Sequence, residues 1–230
     1  HAGERVLRDL IPGGFNHYEQ SLRIVDHLEN NGDGLNLTWE VRDGIAKHSK
    51  GKRGAPVGAD LSNRATALEG QVARVADIIA YVNHDIDDAI RASILCMDDL
   101  PTEAVDLLGH SSSERIGRLV SNTIRETMAA GLDEIRMSDN VLEALLSLRA
   151  FLFETVYEDS LATIEFRKAA GILGGLWEKI HEDPEEFLDR HIIKSDGVDA
   201  AAMDFLAGMT DRFAINLYES LFIPRPWVET

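Results

Sequence analysis

Apolar residues recur at helical spacing along most of this sequence, and no segment shows the strict alternation typical of a half-buried strand. The clearest run spans residues 65–95. Its apolar side chains return every three or four positions at Leu68, Val72, Val75, Ile79, Val82, Ile86 and Ile90. Charged residues occupy some of the positions between them, as expected of a helix with one buried face. The pattern therefore predicts an all-α fold.

Further helices are expected at residues 15–28, 36–48, 111–130, 138–157, 161–181 and 200–221. Ser111 and Glu114 have the spacing of a capping box, which marks the start of one of them. Asp183 and Pro184 suit the N-cap and first position of another. A loop rich in Gly and Pro is expected at residues 49–63. No repeat or linker is evident, which indicates one continuous helical domain with a C-terminal helical extension.

Length and amino-acid composition limit the classes of protein to which this chain can belong. The chain has 230 residues, of which 44% are hydrophobic, enough for one sizeable core. No segment approaches the roughly 20 consecutive apolar residues of a membrane span, and the first residues lack the layout of a signal peptide. The single cysteine, Cys96, excludes an intrachain disulfide and a cysteine-based zinc finger. We therefore expect a cytoplasmic protein without a membrane partner.

The formal net charge is −17, from 40 acidic and 23 basic residues. Such a surface repels polyanions, so broad nucleic-acid binding is not expected. A small anionic substrate would need local positive charge or a metal ion at its site. The one basic segment, residues 47–53 (KHSKGKR), could neutralise a triphosphate, contact a neighbouring subunit or form a solvated loop.

The long helix carries the most informative polar residues. Asp77, Tyr81 and Asp85 are spaced i, i+4 and i+8, so they lie along one helix face and could line a polar pocket. Asp77 is set among apolar neighbours, where a carboxylate is costly to bury unless it is paired or binds a metal. Spacing alone leaves the alternative open that Asp77 pairs with Arg74 or Arg91 and that Asp85 belongs to a solvated face.

Several segments resemble dGTPase-like proteins of the HD superfamily, in the same order along the chain. RVADIIAY at residues 74–81, followed by His84-Asp85, is similar to the last motif of that family. HAGE at 1–4, GFNHYEQSLR at 14–23 and LNLTWEVRDGI at 35–45 resemble three further segments, and GMTDR at 208–212 is a less specific match. Tyr18 departs from the family's usual Asn, which leaves any role of that position in doubt.

The resemblance implies an HD-domain phosphohydrolase fold, with residues 1–100 as the C-terminal part of the HD domain and residues 101–230 as a helical extension. It also implies a divalent metal ion (Mg, Mn, Fe or similar) held by a His, a His-Asp pair and a final Asp. Asp77 matches that final Asp, whereas the other ligands are expected upstream of His1. His84-Asp85 is not the ligand pair. We therefore expect a truncated chain that lacks the metal when alone.

By the same resemblance, His1 matches a catalytic histidine beside the scissile α-phosphate, and Glu4 matches the acidic residue that orients it. Tyr81 and Asp85 match residues that contact the deoxyribose 3′-hydroxyl and help to exclude a 2′-hydroxyl. His17 is expected to contact substrate. The implied reaction converts a deoxynucleoside triphosphate to a deoxynucleoside and inorganic triphosphate, in a homo-oligomer. An HD-type nucleotidase or phosphodiesterase, and an inactive nucleotide-binding oligomer, are the alternatives.

Overall fold

The computed structural model describes residues 2–48, 64–156 and 160–225, and within these ranges the chain forms helices and no strand. The α-helices are α1 (Ala2–Leu10), α2 (His17–Arg23), α3 (Trp39–Lys47), α4 (Leu68–Arg91), α5 (Thr102–Leu108), α6 (Ser112–Ala129), α7 (Asp139–Thr155), α8 (Ser160–Glu182), α9 (Pro184–Phe187), α10 (Arg190–Asp196), α11 (Val198–Ala207) and α12 (Asp211–Phe222). A π-helical turn (Ile24–Leu28) follows α2 directly. The all-α prediction is confirmed.

The chain divides into two compact units. The terminal unit combines His1–Gln20 with Thr163–Thr230, and the middle unit is Ser21–Ala162. Each unit has its own cluster of buried apolar side chains. The boundary expected at residue 100 lies inside the middle unit, and as a division between family domains it stays a prediction.

The core of the middle unit is built around α4, which packs against α3, α6 and α7. The apolar stripe of α4 supplies Ile78, Val82 and Ile86, all fully buried or nearly so. They meet leucines of the surrounding helices, among them Leu108, Leu119, Leu145, Leu148 and Leu152. Because this stripe faces the core, another face of α4, which carries Asp77 and His84, is exposed.

A buried arginine fixes α4 against α6. Arg115 is 0% exposed, and its Nε donates to the Asn83 side-chain oxygen at 2.8 Å. The same guanidinium donates to the carbonyl of His110 at 3.3 Å and to Asp87 at 3.4 Å. A buried cation needs such partners because it has left water. The network therefore opposes rotation of α4 about its axis.

Two glycines let α3 cross the first turn of α4 at close range. A Cβ on Gly70 would lie 2.9 Å from the Cα of Gly44 and 2.7 Å from the Cβ of Ala65. The carboxylate of Asp43 reinforces the crossing. It accepts a hydrogen bond from the backbone N–H of Thr66 at 2.8 Å and pairs with Lys47 at 2.6 Å.

The terminal unit brings the N-terminal residues onto the C-terminal helices. Leu7, Ile11 and Phe15 pack in one buried cluster with residues of α8, α11 and α12. Gln20 of α2 donates its side-chain N–H to the Asp204 carboxylate of α11 at 2.7 Å. These contacts place α1 and the start of α2 beside α11, although 184 residues separate Gln20 from Asp204.

Most predicted helices are present, with two informative differences. The capping box is confirmed, because the N–H of Glu114 donates to the Ser111 hydroxyl at 3.2 Å and the N–H of Ser111 to the Glu114 carboxylate at 3.1 Å. The single helix predicted over 200–221 is wrong. The chain breaks between α11 and α12, where the Thr210 hydroxyl caps a new helix by accepting from the N–H of Phe213 at 3.2 Å.

Asp183 precedes a helix as predicted, but α9 extends over one turn only. The loop predicted at residues 49–63 lies outside the described residues. In the described part of the chain, no helix is both long and apolar enough to cross a membrane.

Candidate active site

Asp77, Tyr81 and Asp85 all lie on α4, as their spacing predicts. Their environments differ. Asp77 is exposed, whereas Tyr81 and Asp85 are partly buried. The neighbours Ile78 and Ile79 face the core, so the apolar surroundings of Asp77 in the sequence do not bury its carboxylate. Folding therefore does not remove the Asp77 side chain from water, and the cost of burying a carboxylate does not apply to it.

Asp77 lies on the wall of a cavity of about 1070 Å³ within the middle unit. The cavity is bounded by the end of α2, by α3 and by the first half of α4. Its lining consists of Ser21, Val25, Glu40, Val41, Gly44, Ile45, His48, Ala67, Glu69, Gly70, Ala73, Ala76, Asp77 and Ala80. Aliphatic side chains dominate this lining, so Asp77 is one of a small number of charged groups at a largely apolar wall. Tyr81 and Asp85 lie further along α4 and are not among the residues that line the cavity.

Tyr81 has a partner that the sequence did not reveal. The Nε of Arg149, on α7, donates to the phenol oxygen at 2.6 Å. Burial raises the pKa of Tyr81, the charge and hydrogen bond of Arg149 oppose that rise, and the carboxylates of Asp77 and Asp85 add to it. The pKa remains above its ordinary value of 10.0, so the phenol is protonated at neutral pH. Because 68 residues separate Tyr81 from Arg149, no local pattern indicates the pair.

Glu4 contacts His17 of α2 and Arg8 of its own helix, α1. Its carboxylate lies 3.0 Å from Nδ1 of His17, accepts the backbone N–H of His17 at 3.3 Å and pairs with Arg8 at 3.1 Å. Partial burial raises the pKa of Glu4, but the hydrogen bonds and charge of His17, together with Arg8, outweigh this effect and lower it. His1 lies outside the described residues, so the expected pairing of Glu4 with His1 stays a prediction.

The structure therefore groups the candidate residues by unit. Glu4 and His17 are in contact in the terminal unit, and Asp77, Tyr81 and Asp85 share a helix in the middle unit. Of the basic segment 47–53, the described residues are Lys47, paired with Asp43, and His48, on the cavity wall. Tyr18, the departure from the family pattern, places its ring edge-on to that of His17, with centroids 5.8 Å apart.

Asp77 is the residue of this chain that the family resemblance assigns as a metal ligand. Asp77 offers an exposed carboxylate, a donor type suited to hard divalent cations. Among the described residues, no three His, Cys, Asp or Glu side chains gather closely enough to hold an ion.

Comparison with known proteins identifies the family. A family model described as a phosphohydrolase-associated domain matches residues 135–220. Relatives named deoxyguanosinetriphosphate triphosphohydrolase-like protein match almost the whole chain. The relative from Caldanaerobacter subterraneus subsp. tengcongensis is 44% identical, with 100% of this chain and 64% of the relative covered. Those from Clostridium perfringens (strain 13 / Type A) and Desulfatibacillum aliphaticivorans are both 42% identical, with 98% and 99% of this chain and 65% and 67% of the relatives covered.

The helical fold and these matches together define an HD-domain protein. The chain belongs to the deoxyguanosinetriphosphate triphosphohydrolase-like family. It spans 64% of the length of the Caldanaerobacter relative and 65% of that of the Clostridium relative.

Proposed function

We propose that the full-length protein is a metal-dependent phosphohydrolase that converts deoxynucleoside triphosphates to deoxynucleosides and inorganic triphosphate. The observation that carries the proposal is the exposed carboxylate of Asp77 on the cavity wall, at the position of the family's last motif. Asp77 is exposed on a 24-residue helix whose buried face lies elsewhere, so its side chain can be approached without moving the core. A solvated acidic face alone would not require an apolar cavity beside it.

Asp77 would be this chain's ligand to a divalent metal, with the family's His and His-Asp ligands supplied by the remainder of the full-length protein. When bound, such an ion supplies Lewis acidity to a phosphoryl oxygen and lowers the pKa of a bound water. Asp77 is exposed, so a cation can reach its side chain from solvent.

Glu4 and His17 supply a carboxylate–imidazole pair in the terminal unit. A carboxylate 3.0 Å from one ring nitrogen holds the imidazole in a fixed orientation and favours a proton on that nitrogen. The other ring nitrogen then faces away from Glu4. Such a pair suits a group that donates a hydrogen bond to, or exchanges a proton with, a phosphate oxygen. His1 is proposed as a second histidine at the reacting phosphate.

Tyr81 and Asp85 would recognise the sugar. The phenol of Tyr81 is protonated and can donate a hydrogen bond, while the carboxylate of Asp85, one helical turn away, can only accept. A hydroxyl group needs one partner of each kind. The two residues therefore form a suitable site for the deoxyribose 3′-hydroxyl.

The test is product analysis with the full-length protein and a divalent metal. Deoxynucleoside triphosphates, deoxynucleoside monophosphates and cyclic dinucleotides are supplied separately, and products are separated by anion-exchange chromatography. We expect inorganic triphosphate and deoxynucleoside from the first group alone. Release of orthophosphate from monophosphates, or opening of cyclic dinucleotides, would instead indicate a nucleotidase or phosphodiesterase. Binding without turnover would indicate an inactive nucleotide-binding protein. Light scattering of the same sample tests the proposed homo-oligomer.

A further inference from the structure

A histidine joins the C-terminal end of α8 to the start of α11 in the terminal unit. His181 lies in the last turn of α8, and Asp199 lies in the first turn of α11. Nδ1 of His181 is 2.8 Å from the backbone carbonyl oxygen of Trp177, and Nε2 is 2.9 Å from Oδ1 of Asp199. Each ring nitrogen therefore faces an oxygen at hydrogen-bond distance.

Both of these oxygens require a donor. A carbonyl oxygen and a carboxylate oxygen accept hydrogen bonds and donate none. A neutral imidazole has a single N–H, so it can donate to one of the two oxygens, and the lone pair of its second nitrogen then faces the other. An imidazolium has two N–H groups and can satisfy both. The complete arrangement around His181 therefore fits the ring when both nitrogens carry a proton.

Two further features of the site favour a cation at this position. The ring centroids of His181 and Trp177 are 4.4 Å apart, which is close enough for a cation–π contact with the indole. The carbonyl groups at the C-terminal end of a helix also carry partial negative charge, and the N–H groups at the N-terminal end carry partial positive charge. A cation at the end of α8 and an anion at the start of α11 are therefore each stabilised by their own helix.

Charged side chains close to His181 in the sequence have other partners. On α8, Lys179 pairs with Glu182 at 3.0 Å. Among the described residues, Asp199 is the charged side chain in contact with the His181 ring. The Asp199 side chain is 62% exposed and the His181 side chain 29%, so water screens part of their attraction. We therefore expect a local effect of modest size.

We propose that His181 and Asp199 form a proton-dependent clamp between α8 and α11. The clamp holds while the ring carries a proton on both nitrogens, and one of its two hydrogen bonds is lost when a proton leaves. Since histidine side chains ordinarily change charge near about pH 6.5, the contribution is present in acid and is lost as pH rises. α11 also carries Asp204, which accepts the side-chain N–H of Gln20 at 2.7 Å, so the clamp secures the helix that contacts α2. The inference is independent of the proposed function, because it concerns contacts within the terminal unit.

Hydrogen–deuterium exchange of the full-length protein measures how firmly α11 is held. Peptides that cover α11 are followed by mass spectrometry at about pH 5.5 and about pH 8.5, on either side of the ordinary histidine range, and each rate is divided by that of the unstructured peptide. The variants are Asp199→Asn, which is nearly isosteric, and His181→Phe, which keeps a ring against Trp177 but has no N–H. We expect each to lower the protection of α11 about fivefold at the lower pH and less than about twofold at the higher pH.

Lys179→Gln is the matched control. It removes the ion pair with Glu182 on the same helix, and Glu182 raises the pKa of Lys179, so that cation stays charged at both pH values. Its effect on protection should therefore be the same in both buffers.

The double variant tests whether the two residues act together. Asp199→Asn combined with His181→Phe should lose no more protection in acid than the more damaging single substitution. Additive losses would contradict the clamp, because each residue would then stabilise its helix independently. Losses of equal size at both pH values, or unchanged protection of α11 at the lower pH, would overturn the proposal.

Discussion

Among single residues, Asp43 links α3 to the chain just before α4. Its carboxylate pairs with Lys47 of α3 and accepts the backbone N–H of Thr66. Burial raises its pKa, but the hydrogen bonds from Lys47 and from the backbone of Thr66 outweigh that effect, so the pKa lies below its ordinary value of 3.8. A carboxyl whose folded-state pKa is lowered stabilises the fold above its unfolded pKa, and this contribution is lost as pH falls through the folded value. Asp43 should therefore contribute fully at neutral pH.

We predict that Asp43→Asn lowers the melting temperature at pH 7 and that the deficit shrinks as pH falls below about 4. The amide keeps the shape of the carboxyl but loses the ion pair with Lys47. Thermal unfolding of both proteins, followed by circular dichroism from pH 7 to pH 3, checks this. A deficit of constant size over that range would mean that packing, and not charge, is responsible.

Arg115 is a fully buried cation whose loss should be costly. In Arg115→Met the side-chain oxygen of Asn83, at 0% exposure, loses its donor. We expect the free energy of unfolding to fall by about 2 kcal/mol or more, the cost of leaving such a group unsatisfied. Urea denaturation measures it. Arg125→Met, which removes an exposed ion pair, should change stability by less than about 1 kcal/mol. Equal effects of the two substitutions would contradict the buried network.

At this scale the sequence indicates residues but not their partners. The i, i+4, i+8 spacing correctly predicts that Asp77, Tyr81 and Asp85 share a helix. It does not show that Asp77 is exposed at a cavity, since that depends on which face of α4 the core covers. Arg149 and His17 reach their partners, Tyr81 and Glu4, across 68 and 13 residues. Such distances leave no periodic signal.

At the scale of helices, the crossing of α3 and α4 shapes the cavity. Gly70→Ala would force a Cβ to within 2.9 Å of the Gly44 backbone and 2.7 Å of Ala65. We predict a loss of about 1–3 kcal/mol in the free energy of unfolding, since the helices must move apart. Gly117→Ala, in α6, is the control: its Cβ would have nothing within 4 Å, so it should stabilise by about 0.5–1 kcal/mol. Urea denaturation measures the free energy of unfolding of both variants. Equal stabilisation by the two substitutions would contradict the close crossing of α3 and α4.

Helix positions were predictable where local signals are strong. Ser111 and Glu114 predict the start of α6 because a capping box satisfies backbone donors locally. The break between α11 and α12 was missed, because apolar residues continue at helical spacing through it. Gly208, which ends α11, and Thr210, the N-cap of α12, are the local signals of this break. In a long apolar run they are weaker indicators than the helical periodicity.

At the scale of the whole molecule, the division into two units depends on contacts distant in sequence. Leu7 and Phe15 pack with residues of α8 and α11, and no pattern along the chain indicates that pairing. Composition predicts a protein with a sizeable core but not two separate ones. The family match at residues 135–220 also begins in the middle unit and ends in the terminal unit.

Metal content tests how the proposed site is divided between this chain and the full-length protein. We predict that the 230-residue chain retains no tightly bound transition metal after dialysis, because one carboxylate provides too few ligands. The full-length protein should retain about one ion per chain. Elemental analysis by mass spectrometry measures both. An ion retained by the short chain and lost in its Asp77→Asn variant would contradict this division.

The most direct test of the central claim, that Asp77 belongs to the active site, is triphosphate release by full-length Asp77→Asn. Asn is nearly isosteric with Asp, and Asp77 is exposed, so the free energy of unfolding should change by less than about 0.5 kcal/mol. The amide lacks the charge that binds a metal ion. The account predicts release at background level by a variant whose melting curve matches the wild type. Near-normal release by that intact variant would remove Asp77 from the site and contradict the proposed mechanism.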